Sequence, residues 1–220
     1  MRIGVVGGGP AGLLAANVLR GAGYSVEIFE EHGRVGVPRH CTGIISEEVL
    51  RGIRSIVGSS IDNVVREAFT EYRVVGPSGS EVVIELPGRV YVTDRTGMEE
   101  VMLESAVSVG VATNLKTRVT HVTLDGKLHL SGGSRAYDRV VLAEGAAMHH
   151  SLRLGLCRKM VRLVGLQAFV EVHSPPDTVV VYALPEVSKD FFGWVVPYGP
   201  NEALERLENT HVRTQTTTAR

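Results

Sequence analysis

Ile3-Gly4-Val5-Val6 is a short apolar run, the pattern of a buried parallel strand. Glycines crowd positions 7–12, and Leu13 to Arg20 then reads as a strong helix former stopped by Gly21 and Gly23. Ser25 to Phe29 predicts a second strand, ending at Glu30. Strand, helix and strand within about thirty residues make a β-α-β unit of ordinary size. Residues 32–45 hold Gly33, Gly36, Pro38 and Gly43 and predict an ordered loop. Ser46 is placed to N-cap a helix running to about Val57, with Val49, Leu50 and Ile53 on one face.

The pattern then changes. Arg66 to Val75 and Glu81 to Leu86 predict a hairpin around Gly76-Pro77-Ser78-Gly79, and Tyr91-Val92 starts a return. A helix is predicted from Thr96, with Glu99 as its capping-box partner and Met98, Val101, Met102 and Ala106 on one face. Arg118–Leu124, Lys127–Leu130 and Tyr137–Ala143 read as short strands, the first two joined through Asp125-Gly126. Further strands are predicted at 161–173, 178–184 and 191–197, the first two separated by Ser174-Pro175-Pro176-Asp177. Asn201 to Glu208 is read as a turn of helix, and the threonine-rich end from Thr210 as frayed.

The totals narrow the class. With 220 residues, 44% of them hydrophobic, the chain has enough material for a sizeable core. A net charge of −1 gives no global electrostatic reason to expect nucleic acid. Two cysteines, Cys41 and Cys157, make no disulfide framework, and no spacing suggests a metal site. The expectation is a cytoplasmic protein: the start lacks the apolar core of a signal peptide, and no run is long enough to span a bilayer.

Gly7-x-Gly9-x-x-Gly12 is the strongest chemical signal. Gly7 permits the turn off the strand, Gly9 lets backbone approach a pyrophosphate, and Gly12 lets the helix pack on the sheet. The helix start offers N–H groups to phosphates, and Glu30 is placed to accept hydrogen bonds from the adenosine ribose. An acid there disfavours NADP but leaves NAD and FAD open. Arg95, beside a helix start, is either a phosphate contact or a surface arginine paired with Asp94. In Pro38-Arg39-His40-Cys41-Thr42-Gly43 the cysteine stands by a histidine and an arginine, the setting of an activated thiol, yet free cysteine is usually a small buried hydrophobe. Ala143-Glu144-Gly145-Ala146 follows a strand and could bring backbone against a cofactor. His149-His150 reads as a solvated loop, and Phe191, Phe192 and Trp194 as core or a ligand wall.

In order, the fingerprint, Glu30-Glu31-His32, Val35-Gly36-Val37-Pro38, Cys41-Thr42-Gly43, Asp94-Arg95, Glu144-Gly145 and Phe192-Gly193-Trp194-Val195-Val196-Pro197 resemble a known family. They look like the geranylgeranyl reductase family of FAD-dependent oxidoreductases, within the p-hydroxybenzoate hydroxylase-like flavoproteins. The resemblance covers residues 1 to about 200. It implies FAD, with Gly7, Gly9, Ala11, Gly12, Glu30, Cys41, Thr42, Gly43, Arg95, Val119 and Gly145 around it. It implies Phe192, Trp194 and Pro197 as substrate-cavity residues, with Cys41 and Trp194 nearest the chemistry. The implied reaction is reduction of C=C bonds in geranylgeranyl lipids, with a separate electron donor. Peripheral membrane contact would follow only from a lipid substrate.

The sequence departs from that family at three places. Val196 and Tyr198 replace an aromatic and a lysine, Glu144-Gly145 stands for Asp-Gly, and the family's later Gly-Asp-Ala-x-Gly motif is missing. The expectation is therefore a C-terminally truncated chain, with weakened FAD binding, doubtful turnover and a tendency to self-associate. The expected fold is α/β: a glutathione-reductase-type Rossmann-like FAD domain, residues 1–65 and 93–155, interleaved with an antiparallel substrate sheet, 66–92 and 156–200. Residues 201–220 are expected to be an irregular tail. The alternatives are a flavin monooxygenase or dehydrogenase of the same group, and a non-catalytic fragment or half of a split flavoprotein.

Overall fold

The computed structural model describes residues 1–158, 160, 163–171, 177–186, 188, 191–199 and 202–209. In chain order it holds β1 (Arg2–Val6), α1 (Pro10–Gly21), β2 (Ser25–Phe29), β3 (Ile44–Ser46), α2 (Glu47–Val57), β4 (Val65–Val75), β5 (Glu81–Thr93) and α3 (Arg95–Ser108). Then come β6 (Ala112–Asn114), β7 (Val119–Val122), β8 (Lys127–Leu130), β9 (Gly133–Ala136), β10 (Arg139–Leu142) and α4 (His149–Arg153). The last strands are β11 (Val164–Glu171), β12 (Val179–Tyr182), β13 (Gly193–Gly199) and β14 (Glu202–Asn209). The chain divides into two compact units. One comprises Met1–Cys41, Glu48–Val65 and Thr93–Lys159, the other Thr42–Glu47, Arg66–Val92 and Met160–Arg220.

The first unit is built on a parallel sheet in the order β10-β1-β2-β6. Strand alternation puts Ile3, Val5, Val26 and Ile28 on one face, all buried, and α1 packs against β1 and β2. Helix α3 packs on α1 with Met98, Met102 and Ala106 buried. Buried Asn17 joins the two helices: its amide donates to the carbonyls of Leu13 and Met102, and Ser105 donates to its oxygen at 2.9 Å. On the opposite face Val6 and Phe29 join Val119, Val122, Leu128 and Tyr137 of the β7-β8-β9 meander and its flank. Gly4 matters here, since a Cβ would stand 2.8 Å from the Tyr137 ring.

The second unit is one sheet in the order β11-β14-β13-β12-β4-β5-β3. Its core gathers Phe69, Val92, Val179, Val196 and Leu204. The sheet is mixed rather than antiparallel throughout, because β12 lies parallel to β4 in the register Val179 to Tyr72.

Several local expectations are corrected. Glu202–Asn209 forms a strand, not a turn of helix in an irregular tail, because it pairs antiparallel with both β11 and β13. Strand β5 runs unbroken to Thr93 through Pro87-Gly88, so Tyr91-Val92 belongs to it. Asp94, not Thr96, caps α3: its carboxylate accepts the Gly97 N–H, and Glu99 turns to Arg95 instead of closing a box. Val49 is 49% exposed, leaving Leu50 and Ile53 as the buried face of α2. The Ser174-Pro175-Pro176 connection and the residues from Thr210 lie outside the described residues.

Replacing Asn17 by Ala removes the bonds that tie α1 to α3. The expected loss is about 1–2 kcal/mol of stability, read from urea unfolding with the m-value unchanged.

Candidate functional site

The turn between β1 and α1 is set by contacts that leave no room for side chains. Gly7 has φ +108°, and a Cβ on it would run into the Ala143 carbonyl at the end of β10. A Cβ on Gly12 would overlap the Gly7 carbonyl. Gly9 differs: a Cβ there would meet nothing within 4 Å. Gly9 is also the N-cap of α1, contributes no capping side chain, and is followed by Pro10 at the first helical position. Ala11 is exposed in that first turn. The loop thus leaves open space over a helix start, where backbone N–H groups and the helix dipole favour an anion.

Glu30 ends β2 beside this loop. Its Oε2 accepts the Gly8 N–H at 2.7 Å, and its Oε1 accepts the His32 amide at 2.9 Å and lies 2.6 Å from His32 Nδ1. The Gly8 amide and the His32 clamp are the contacts that sequence reading missed. The fingerprint drew attention to the Glu30 carboxylate but not to the donors that hold it.

Arg95 donates to Glu99 Oε1 at 2.8 Å, an i,i+4 pair with both side chains mostly buried. It is therefore not paired with Asp94. That partner is Arg39, whose guanidinium donates to Asp94 Oδ1 at 2.7 Å, the same oxygen that takes the Gly97 N–H. Thr96 donates to the Gly36 carbonyl at 3.1 Å, and a Cβ on Gly36 would stand 2.8 Å from Thr96 Cα. The 36–39 loop is thereby fastened to the start of α3.

Glu144 anchors α4. Its carboxylate accepts from the amides of His150 and Ser151 and from the Ser151 hydroxyl, at 2.6–2.7 Å. Burial alone would raise this carboxyl, but those hydrogen bonds outweigh it and hold it below the usual carboxylate range. Gly145, with φ +57°, starts the intervening 3-10 turn. The pair His149-His150 is not a solvated loop: His150 is only 5% exposed, and its Nε2 lies 3.1 Å from the Val119 carbonyl. It lies there because Glu144 captures the amides that start α4 and so turns the ring inward. Burial pushes His150 below its ordinary value, against the pull of Glu144. Val119 itself is buried in the core beneath the meander.

The remaining candidates follow Cys41, which is half-buried and in no disulfide. In the second unit, buried Thr42 accepts the Trp194 indole N–H at 2.9 Å. Gly43 follows with φ +90°. Phe191 and Phe192 stack at 4.2 Å, and Phe192 lies 5.3 Å from Trp194. These two phenylalanines are 42% and 36% exposed, so the cluster is an apolar surface and not core. Pro197 is buried. A cavity of about 420 Å³ in this unit is lined by Phe69, Thr70, Glu71, Arg89, Asp177 and Thr178, with Ala68, and includes none of the aromatic cluster. Among the described residues no group of histidine, cysteine or acid side chains is arranged to hold a metal. No helix among them is long and apolar enough to cross a membrane.

The fold defines a class: a Rossmann-like α/β unit whose sequence is interleaved with that of a β-sheet unit. Residues 5–72 match the family described as NAD(P)-binding Rossmann-like domain. Over 217 residues the chain is 29% identical to a geranylgeranyl diphosphate reductase of Rhodobacter capsulatus, covering 91% of this chain and 52% of that protein. It is 26% identical to a digeranylgeranylglycerophospholipid reductase of Methanoculleus marisnigri, covering 90% of this chain and 53% of that one. The chain thus spans about half the length of the curated relatives it matches. Its fold is similar to that of a geranylgeranyl bacteriochlorophyll reductase-like protein from Thermoplasma acidophilum. There the TM-score is 0.79 at 20% identity, over 95% of this chain and 56% of that one. The resemblance to the geranylgeranyl reductases is borne out.

The Glu144–His150 arrangement sets a pH dependence. Above the ordinary histidine value of 6.5 the imidazole is neutral whether the chain is folded or not. Below it, the unfolded chain takes up a proton that buried His150 resists, so stability falls with pH. Glu144 adds to the fall further down, when protonation breaks its capping bonds. His121 and His149 face the same ring and oppose a second charge. Urea midpoints are expected to drop as pH falls from 6.5 toward the carboxylate range, and His150→Leu is expected to flatten the upper part of that drop.

Proposed function

We propose that this chain binds FAD and reduces C=C bonds of geranylgeranyl groups on isoprenoid lipids. The observation that carries the reading is similarity sustained across both units with proteins named for geranylgeranyl reduction. The residues present fit a dinucleotide. Space lies open over Gly9, α1 starts without a side-chain cap, and a carboxylate sits at the end of β2. In this reading the backbone of Gly7, Gly9, Ala11 and Gly12 receives the pyrophosphate, and Glu30 the adenosine ribose. Cys41, Thr42, Gly43, Arg95, Val119 and Gly145 complete the cofactor's surroundings, with Cys41 beside the flavin. Bound flavin, reduced by a separate donor, would supply the hydride, and a proton ultimately drawn from solvent would complete the addition across the double bond.

The chain's own part is to hold a prenyl chain and keep water from it. Phe192, Trp194 and Pro197 are the proposed wall. The Trp194 N–H is engaged by Thr42, which fixes the ring and presents its apolar face. Arg95 is held in an ion pair with Glu99, so we assign it a weak, long-range attraction for phosphate rather than a dedicated bond.

A second reading, a flavin monooxygenase of the same group, draws on the cavity lined by Thr70, Glu71, Arg89 and Asp177. Such walls suit a small polar substrate better than a prenyl chain.

The test starts with visible absorbance of the purified chain with and without FAD. It continues with anaerobic incubation of the reduced protein with geranylgeranyl diphosphate, read by mass spectrometry. A gain of two hydrogens per reduced bond supports the reductase. Oxygen-dependent hydroxylation of a small aromatic without alkene reduction supports the monooxygenase, and colourless protein leaves a non-catalytic chain. Gly9→Val fills only the open space, so it is expected to weaken FAD binding about thirtyfold, roughly 2 kcal/mol, with Tm unchanged. Gly12→Val pushes into the Gly7 carbonyl and is expected to lower both.

A further inference from the structure

We propose that His32 is a positioning residue for dinucleotide recognition, acting through Glu30 on the adenosine ribose. The inference rests on the dinucleotide reading of the first unit. A carboxylate offers about four acceptor sites, two on each oxygen. On Glu30, Oε1 receives both His32 donors, the backbone N–H at 2.9 Å and ring Nδ1 at 2.6 Å. Nδ1 carries the hydrogen, because at that distance two bare lone pairs would repel. Among the described residues Oε2 receives only the Gly8 N–H, at 2.7 Å. The remaining acceptor site is therefore on Oε2, the oxygen tied to the glycine loop.

The clamp is rigid at both ends. Glu30 donates its N–H to the Asn114 carbonyl and accepts from the Thr117 N–H, and the His32 carbonyl accepts from the Lys116 N–H, all at 2.8–2.9 Å. Glu30 is mostly buried while the His32 ring is 45% exposed, so the ring closes the outer side of the carboxylate. Two charged groups nearby are engaged elsewhere: Glu31 faces Arg118 at 3.4 Å and Arg34 pairs with Glu100. The aliphatic stem of Lys116 lies against Gly33. Without the His32 ring, Oε1 keeps only the His32 backbone N–H, and the carboxylate is held less firmly in the orientation that meets the Gly8 amide. A carboxylate that must be reordered before it meets the sugar binds more weakly than one already held.

The experiment is a double-mutant cycle on the full chain, with FAD affinity read by quenching of flavin fluorescence. His32→Ala is expected to weaken binding about tenfold. His32→Asn, whose side-chain N–H can take the place of Nδ1–H, is expected to restore affinity to within about threefold of the unaltered chain. In a Glu30→Gln background, His32→Ala is expected to change affinity less than about twofold, because the two residues act as one. A merely structural role would move Tm in both backgrounds and show no rescue by Asn. Unchanged affinity in His32→Ala, or multiplying effects of the two substitutions, overturns the proposal while leaving FAD binding intact. Absence of flavin binding by the unaltered chain overturns the dinucleotide reading and this one with it.

Discussion

Backbone meets backbone at the end of β1: the Gly7 carbonyl occupies the space where Gly12 would carry a side chain, and the Ala143 carbonyl does the same to Gly7. Three parts of the chain, 136 residues apart at the extremes of Gly7 and Ala143, are brought to touching distance by having no Cβ at two of them. The consequence runs outward. Helix α1 can start immediately above the sheet, its first turn faces open space at Gly9, and the Gly8 amide comes within reach of Glu30 on the neighbouring strand. A single methyl group at position 12 would have to displace the helix or break the turn, and the open space at Gly9 and the Gly8–Glu30 contact would move with it.

The same unit relies on charge where it has no regular structure. The 36–39 loop carries no strand or helix to fix it. Asp94 supplies the anchor by serving two purposes with one carboxylate oxygen: it caps α3 and takes the Arg39 guanidinium. The pair is about four-fifths buried on both sides, so it is screened less than a surface ion pair. Its worth is positional. The loop leads directly to Cys41, and the order of that segment depends on a helix start more than fifty residues downstream.

Local patterns in the sequence reach as far as local causes do. The β-α-β unit, its fingerprint and Glu30 are legible because each is decided by neighbours within a few residues. Strands β6 and β9 escaped because three or four residues carry no period, and β9 has no buried side chain to mark it. Strand β14 alternates charge with Ala203, Leu204 and Leu207, which reads equally as a helix face; only its two strand partners decide the matter. Arg39 and His150 were in view but their partners, Asp94 and the Val119 carbonyl, lie 55 and 31 residues away. A glutamate three residues after a threonine imitates a capping box, yet Asp94 two positions earlier is the better acceptor and takes the cap.

The two ends of the inferred reaction place different demands on sequence. A pyrophosphate is received by backbone N–H groups and a helix dipole, so the requirement falls on glycines and on one acid, and most other positions are free to drift. A prenyl chain is received by side chains, and here its proposed wall is Phe192, Trp194 and Pro197, with Phe191 stacked on Phe192 and Trp194 pinned by Thr42. This difference accounts for a fold that stays similar at 20% identity while the fingerprint remains readable. Under the proposed function, changes at Gly9 or Glu30 would act on any dinucleotide reaction the fold supports, whereas changes at Phe192 or Trp194 would act on which molecule is reduced.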